Sequence, residues 1–251
     1  MLFTKESINN NVLEQWQNDA IAKFSSKMAD KNSPFPCIPA SQGFHLNQFR
    51  YGFASDPRNI SSADELAKIL GEYSNCFRNL GNYTSLIIFY ETSWELKEQT
   101  SVESFEKLFW KQLYRLAKID CQEWPRQIPT DPHNPLWEFC FHSEQYFVYC
   151  ATPSHKNRMS RHFPYFMLAI TPRSVLVEFH SSKHHAAKIK SNIRKRLTDY
   201  DTIGIHPDLN SYGNEDNFEW KQYFLHDDNT AISTCPFHKS NGQLDKNFNN
   251  K

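Results

Sequence analysis

The segment LWEFCFHSEQYFVYCA, residues 136–151, decides the fold of this chain. It predicts two short strands, near 136–142 and 145–151, because both parts are rich in the aromatic and β-branched residues that strands favour. Strands joined by so short a turn pair antiparallel, since a parallel pair needs a long crossover connection. We therefore expect a sheet that is largely antiparallel.

The first of these strands has two unlike faces. Successive side chains of a strand point to opposite sides, so Trp137, Phe139 and Phe141 share one face, which we assign to the core. The opposite face carries Glu138, Cys140 and His142, three groups that can move protons or bind a metal ion. The structural alternative is that Cys140 is buried for packing alone and that Glu138 pairs with an arginine.

Helical and strand patterns follow one another along the rest of the chain. The predicted helices are 7–30, in which Val12 to Phe24 form one apolar stripe, 61–78, 101–118, 183–199 and a short aromatic helix or turn at 219–225. The further predicted strands are 85–91, 163–171 and 175–180. This order predicts the α+β class: a single domain over residues 1–237, with its sheet covered by helices. The polar segment 238–251 is predicted to be a disordered tail.

Composition argues against several functions. Among the 251 residues, 28 Lys and Arg balance 28 Asp and Glu. A protein that binds nucleic acid or an anionic membrane is usually basic, so we expect neither partner. No segment has the apolar length of a membrane span or the pattern of a signal peptide, which predicts a cytoplasmic protein. The motifs GxSxG, HExxH and GxGxxG and the phosphate-binding loop do not occur, which disfavours the common hydrolases and nucleotide enzymes.

Cys37 is a candidate metal ligand. It stands in the segment Phe35-Pro36-Cys37-Ile38-Pro39, where the prolines restrict the backbone to an extended, irregular path. A thiolate in such a loop can bind haem iron. The alternative is a buried thiol beside a turn. Because the attachment pattern of c-type haem does not occur, any haem would be held without a covalent link.

Two polar segments supply further candidates. In His155-Lys156-Asn157-Arg158-Met159-Ser160-Arg161, the imidazole of His155 can bind iron or relay a proton, and Arg158 and Arg161 can grip carboxylates through paired hydrogen bonds. Asp227 and Asp228 can hold a cationic substrate, or they can cap a turn. A histidine in isolation is more often structural, and no pair of ligands has the spacing of a structural zinc site.

Taken together, twelve ordered blocks resemble the YqcI/YcgG family over residues 12–237. They are FPCIP (35–39), FRYGF (49–53), FW (109–110), WP (124–125), IPTDP (128–132), WEFCF (137–141), TPSHKNRMSR (152–161), TPR (171–173), IRKRLTDYD (193–201), YG (212–213), EWKQYFLHDDN (219–229) and CPF (235–237). Characterised relatives are haem-dependent oxygenases that hydroxylate a guanidine nitrogen of arginine or an arginine-derived compound.

The resemblance implies a haem b monooxygenase that uses O2, a small guanidine-containing substrate and electrons from a separate reductase. Its axial ligand would be Cys37 or His155, and the sequence leaves both open. Arg158, Arg161 and Arg173 would hold haem propionates or a substrate carboxylate. Glu138, Asp227 and Asp228 would hold the guanidinium. The alternatives are a haem-binding or haem-sensing protein without turnover, and a protein whose aromatic pocket binds another small ligand.

Overall fold

The computed structural model describes residues 1–179, 183–210 and 217–237. Within these ranges, five strands form one sheet of order β1-β2-β5-β4-β3. They are β1 (Arg50–Ala54), β2 (Leu86–Tyr90), β3 (Phe139–Phe141), β4 (Glu144–Ala151) and β5 (Met167–Pro172). Only β1 and β2 are parallel, and the other three neighbouring pairs are antiparallel. The predicted α+β class and the largely antiparallel sheet are thus confirmed.

The described helices surround this sheet. They are α1 (Lys5–Asn9), α2 (Gln15–Ala29), α3 (Ile38–His45), α4 (Ser61–Ser74), α5 (Trp94–Gln99), α6 (Val102–Ile119), α7 (Arg173–Phe179), α8 (Lys183–Tyr200) and α9 (Trp220–Tyr223). Short 3-10 turns occupy Phe77–Asn79 and Met159–Arg161. None of the described helices is long and apolar enough to cross a membrane.

Two of the predicted elements differ from the structure. The predicted helix 7–30 is divided into α1 and α2, because α1 ends at Asn9 and α2 begins only after Glu14. Val12 lies between them and is fully exposed, so it does not belong to the apolar stripe. Residues 175–179 of the predicted strand 175–180 instead belong to the helix α7, which begins directly after β5, and residue 180 lies outside the described residues. The predicted tail 238–251 lies outside the described residues.

The sheet separates two apolar clusters according to residue parity. Even-numbered residues of the inner strands, among them Ile88, Val148 and Leu168, pack with α4 and α6. We call this side the closed face. Odd-numbered residues, among them Ile87 and Met167, turn towards α2 and α3. We call this side the pocket face. The division follows from the pleat, since the registers of β1, β2, β5 and β4 pair odd residues with odd ones.

On the closed face the helices approach the sheet tightly. A Cβ atom on Gly52 would lie 2.8 Å from side-chain carbons of both Ile69 on α4 and Ile88 on β2. Glycine therefore allows α4 to pack directly on β1. The aromatic residues Trp137, Phe139 and Phe141 are also buried in the cluster of this face, as their alternation predicted.

Candidate functional site

A deep apolar pocket lies on the pocket face. The space between its walls amounts to about 930 Å³, including the part that is open to solvent. Its floor is formed by odd-numbered residues of the sheet, and helices α2, α3 and α7 supply the other walls. The lining residues are Phe24, Lys27, Met28, Phe35, Cys37, Pro39, Ala40, Phe49, Tyr83, Ser85, Ile87, Phe147, Tyr149, Met167, Ala169, Thr171, Val175 and Leu176.

The pocket has polar groups at two ends. Along β5 its floor runs from Met167 to Thr171, four residue steps or about 13 Å. At the Thr171 end, the hydroxyl oxygens of Ser85 and Thr171 lie 2.7 Å apart. At the other end, the Nζ atom of Lys27 donates to the carbonyl oxygens of Met159 (3.0 Å) and His162 (2.9 Å). A mostly apolar floor therefore connects a hydroxyl-bearing end with a cationic one.

Cys37 lies in the pocket wall directly before α3. Its backbone is extended, with φ −73° and ψ 102°, and it caps the helix that starts at Ile38. Burial raises the pKa of the Cys37 thiol above its ordinary value of 9.0. A hydrogen bond from the backbone N–H of Ala40 and the charges of Arg161 and Arg196 lower that pKa. A thiolate here would thus gain an N–H donor, a helix N-terminus and two positive charges.

His155 lies elsewhere, between the end of β4 and the segment 224–226. Its Nε2 atom is 2.8 Å from the carbonyl oxygen of Leu225, and its Nδ1 atom is 2.8 Å from the hydroxyl of Thr152. Because a carbonyl only accepts, Nε2 carries the proton and Nδ1 accepts from Thr152. Burial lowers the pKa of His155 to about 4. Both ring nitrogens are therefore engaged by protein atoms, and the residue is not part of the pocket lining.

The arginine-rich segment and the aspartate pair bind each other. The carboxylate of Asp227 accepts hydrogen bonds from the backbone N–H groups of Lys156, Asn157 and Arg158. In return, the guanidinium of Arg158 donates to the carbonyl oxygens of His226 and Asp228. The structure thus gives Arg158 and Asp227 a fastening role in place of the predicted contacts with a ligand.

Asp228 closes a surface turn. Its Oδ1 atom accepts hydrogen bonds from the backbone N–H and the hydroxyl of Thr230, and these bonds lower the pKa of its carboxyl group. Neither Asp227 nor Asp228 belongs to the pocket lining. The predicted binding of a guanidinium by these two carboxylates therefore finds no support in their position.

Arg161 reaches from the same segment towards the pocket. Its guanidinium donates to the carbonyl oxygens of Cys150, Tyr223 and Gln222. It also lies 4.3 Å from the centre of the Tyr149 ring, a residue of the pocket floor. Arg161 therefore contacts the floor through the Tyr149 ring and adds positive potential near Cys37.

Glu138 and Arg173 form a buried charge cluster with Glu219. The guanidinium of Arg173 donates from Nη1 to both carboxylate oxygens of Glu219, at 2.9 and 3.0 Å. Its Nε atom lies 3.5 Å from Oε1 of Glu138. Burial, followed by repulsion from Glu138, raises the pKa of Glu219 to about 8, although Arg173 opposes that rise. These contacts match the structural alternative for Glu138, namely a pair with an arginine.

The predicted residues are therefore not brought together in one place. Cys37 lines the pocket, and Arg161 contacts the Tyr149 ring of its floor. The residues that hold loop segments are His155, Arg158, Asp227 and Asp228. Glu138 and Arg173 belong to the buried charge cluster. Sequence analysis missed Lys27 and Glu219. A signal for Lys27 exists, because this lysine lies three residues after Phe24 and next to Met28 on the apolar stripe of α2. Glu219 gives no comparable signal, since nothing in its local sequence indicates a distant arginine.

The chain thus combines an α+β fold with an apolar pocket that Cys37 and Lys27 help to line. The chain belongs to the YqcI/YcgG family, whose model matches residues 24–238. Two Bacillus subtilis (strain 168) proteins, YcgG and YqcI, are each 45% identical to it, over 90% of this chain and 89% of theirs. Both are described as uncharacterized. The Streptomyces lavendulae protein "Putative N(omega)-hydroxy-L-arginine synthase DcsA" is 28% identical, over 94% of this chain and 89% of its own length. No solved structure matches the chain significantly.

Proposed function

We propose that this chain is a haem-dependent monooxygenase that hydroxylates a guanidine nitrogen of arginine or of a related small molecule. The name of the Streptomyces relative supports the reaction. The observation that carries the proposal is the placement of Cys37 in the lining of an apolar pocket whose floor is the sheet. Haem b, O2 and a separate electron-donating reductase are parts of the same proposal.

The pocket suits a planar apolar cofactor. Its floor runs for about 13 Å along β5, and aromatic and aliphatic side chains dominate its walls. Among the described residues, no group of three or more His, Cys, Asp or Glu side chains could hold a bare metal ion. Haem needs only one protein ligand, because the porphyrin supplies the other donors. A single thiol facing an apolar slot is therefore compatible with haem.

Cys37 would bind the haem iron as a thiolate, and the groups around it would influence the charge of its sulfur atom. The N–H of Ala40 and the charges of Arg161 and Arg196 favour the charged form, while burial opposes it. Thiolate-bound haem supplies O2 activation, because donation from sulfur favours cleavage of the O–O bond. The apolar walls would exclude water from the reacting centre. The hydroxyl oxygens of Ser85 and Thr171 would accept hydrogen bonds from guanidine N–H groups.

Hemin uptake by the purified protein tests the ligand. We expect the wild-type protein and the control Cys76→Ser, whose thiol is not among the lining residues, to bind hemin and to give a thiolate-type spectrum after reduction and CO addition. Cys37→Ser is expected to lose that spectrum. If Cys37→Ser keeps it, Cys37 is not the ligand, and a wild-type protein that takes up no hemin would refute haem dependence itself.

A haem-binding protein without turnover is the second candidate. The observation that favours it is the lack of any carboxylate among the described lining residues, which leaves a guanidinium without an ion-pair partner in the pocket. Turnover separates the two candidates. The hemin-loaded protein, supplied with a reductase, NADPH and arginine, should consume O2 and form a product heavier by one oxygen atom, as measured by mass spectrometry. Hemin binding without that product would favour the second candidate.

A further inference from the structure

Lys27 is a half-buried cation in the lining of an apolar pocket. Its Nζ atom has two hydrogen-bond partners, the carbonyl oxygens of Met159 and His162, although an ammonium group carries three donors. The aromatic rings of Phe35 and Tyr200 lie 5.8 and 5.2 Å from it. These partners are all neutral, so the geometry leaves one N–H donor and one full charge for another group.

An anion that would compensate this charge does not come from the described part of the chain. There, no carboxylate lies within ion-pair distance of Lys27. Asp201 contributes only at longer range, and its carboxylate accepts hydrogen bonds from the backbone N–H and the hydroxyl of Ser160. Burial lowers the pKa of Lys27 to about 8, which shows that its surroundings penalise the charge. Charges that are largely removed from water are usually paired, and Lys27 lines the pocket.

We infer that Lys27 is the anchor for a carboxylate group of the molecule that occupies the pocket. The inference rests on the proposed function for the identity of that molecule. Two sources offer the same chemistry: a propionate of the porphyrin, or the α-carboxylate of an arginine-like substrate. In either case the carboxylate would accept the third N–H of Lys27 and complete a buried ion pair, which fixes the orientation of the ligand between the cationic and the hydroxyl-bearing end.

The test compares acids with neutral analogues. Protoporphyrin IX and its dimethyl ester are titrated into the metal-free protein, so that binding does not depend on Cys37. Arginine and agmatine, which lacks the carboxylate, are then titrated into the hemin-loaded protein. The variants are Lys27→Met, which removes the charge, and Lys27→Arg, which retains it. Lys23→Met serves as the control, because Lys23 lies one turn earlier on α2, pairs with Asp19 and is not among the lining residues.

We expect the wild-type protein to prefer one acid over its neutral analogue, and Lys27→Met to bind that acid about tenfold to a hundredfold more weakly while binding the analogue equally well. Lys27→Arg and Lys23→Met should keep the preference. A preference in the porphyrin pair identifies a propionate, and one in the arginine pair identifies a substrate carboxylate. If Lys27→Met leaves both pairs unchanged, the inference is refuted.

Failure of the proposed function would give a different result. A wild-type protein that binds neither porphyrin would refute haem dependence. The role of Lys27 as a carboxylate anchor would then be tested with another apolar acid. Pyrenebutanoate and its methyl ester then replace the porphyrins, with fluorescence as the readout. Lys27→Met should abolish the preference for the free acid, and an equal affinity of the wild-type protein for acid and ester would refute the anchor.

Discussion

The guanidinium of Arg161 lies 4.3 Å from the centre of the Tyr149 ring. Tyr149 belongs to the pocket floor, whereas Arg161 is fixed by backbone carbonyl groups of β4 and α9. This contact couples the arginine-rich segment 155–161, which has no direct place in the pocket, to the surface on which a ligand would lie.

Thiol reactivity tests the surroundings of Cys37. Burial raises the pKa of this thiol, and thiolate is the reactive form. We expect iodoacetamide at neutral pH to modify Cys37 several times more slowly than the exposed Cys121, with peptide mass spectrometry as the measurement. Hemin should protect Cys37 further and leave Cys121 unchanged. Equal modification of both thiols would contradict the described burial.

His155 is expected to matter for stability and not for haem binding. The variant His155→Gln loses at least one of two buried hydrogen bonds, which should cost about 2 kcal/mol of unfolding free energy. Urea unfolding measures this loss. The hemin spectrum of the variant should equal that of the wild type, and loss of the spectrum in a folded variant would restore His155 as the candidate ligand.

The lowered pKa of His155 predicts that the folded protein loses stability in acid. The folded pKa of His155, about 4, lies below its ordinary value of 6.5, so the neutral ring is favoured in the native state. Its stabilising contribution is complete above about pH 6.5 and is lost as the pH falls through about 4. Wild-type stability should therefore decrease over this window more steeply than that of His155→Gln. If the free energy of unfolding falls equally with pH in the two proteins, the protonation of His155 is not the cause of the decrease.

Replacing Asp227 should lower the free energy of unfolding much more than replacing its neighbour Asp228. Asp227→Ala removes the acceptor of three backbone N–H groups, and we expect a loss of about 3 kcal/mol. Asp228→Ala removes bonds within one surface turn and should cost less than about 1 kcal/mol. Thermal and urea unfolding of the two variants provide the comparison. A larger loss for Asp228→Ala would contradict the fastening role of Asp227.

The raised pKa of Glu219 predicts a loss of stability between about pH 4.5 and 8. Its folded pKa, about 8, is raised above the ordinary 4.5, so its contribution to stability is complete below about pH 4.5 and is lost as the pH rises through 8. Glu219→Gln should flatten the decrease in stability across this window, since the amide does not ionise. Glu98→Gln, at an exposed position, is the control and should follow the wild type. An unchanged slope in Glu219→Gln would show that another group causes the decrease.

The sequence predicted the elements whose periodicity is local. The helix over 101–118 corresponds to α6, and the two strands within 136–151 correspond to β3 and β4. It did not predict β1 or the helix α7. The residues of α7 after Pro172 include Val175 and Val177, which favour strands, but Arg173 binds Glu219 and Val175 turns into the pocket wall. Tertiary contacts thus override the local preference.

Site residues were harder to predict than elements. Residue type identified Cys37, because a thiol between prolines is unusual wherever it lies. The same criterion selected Asp227 and His155, whose polar groups are used to hold backbone segments that are distant in sequence. A single sequence does not distinguish a charge that binds a loop from a charge that binds a ligand, because both need the same chemical group.

In the inner strands, odd-numbered residues line the pocket, and even-numbered residues hold the helices of the closed face. Substitutions at Ile87, Ala169 or Thr171 would reshape the cavity, while Ile88, Leu168 and Ile170 would continue to hold α4 and α6. Evolution can therefore diversify what this architecture accepts by altering alternate positions of the same strands. Proteins of this lineage that process unlike compounds should differ mainly at odd positions and preserve the even ones.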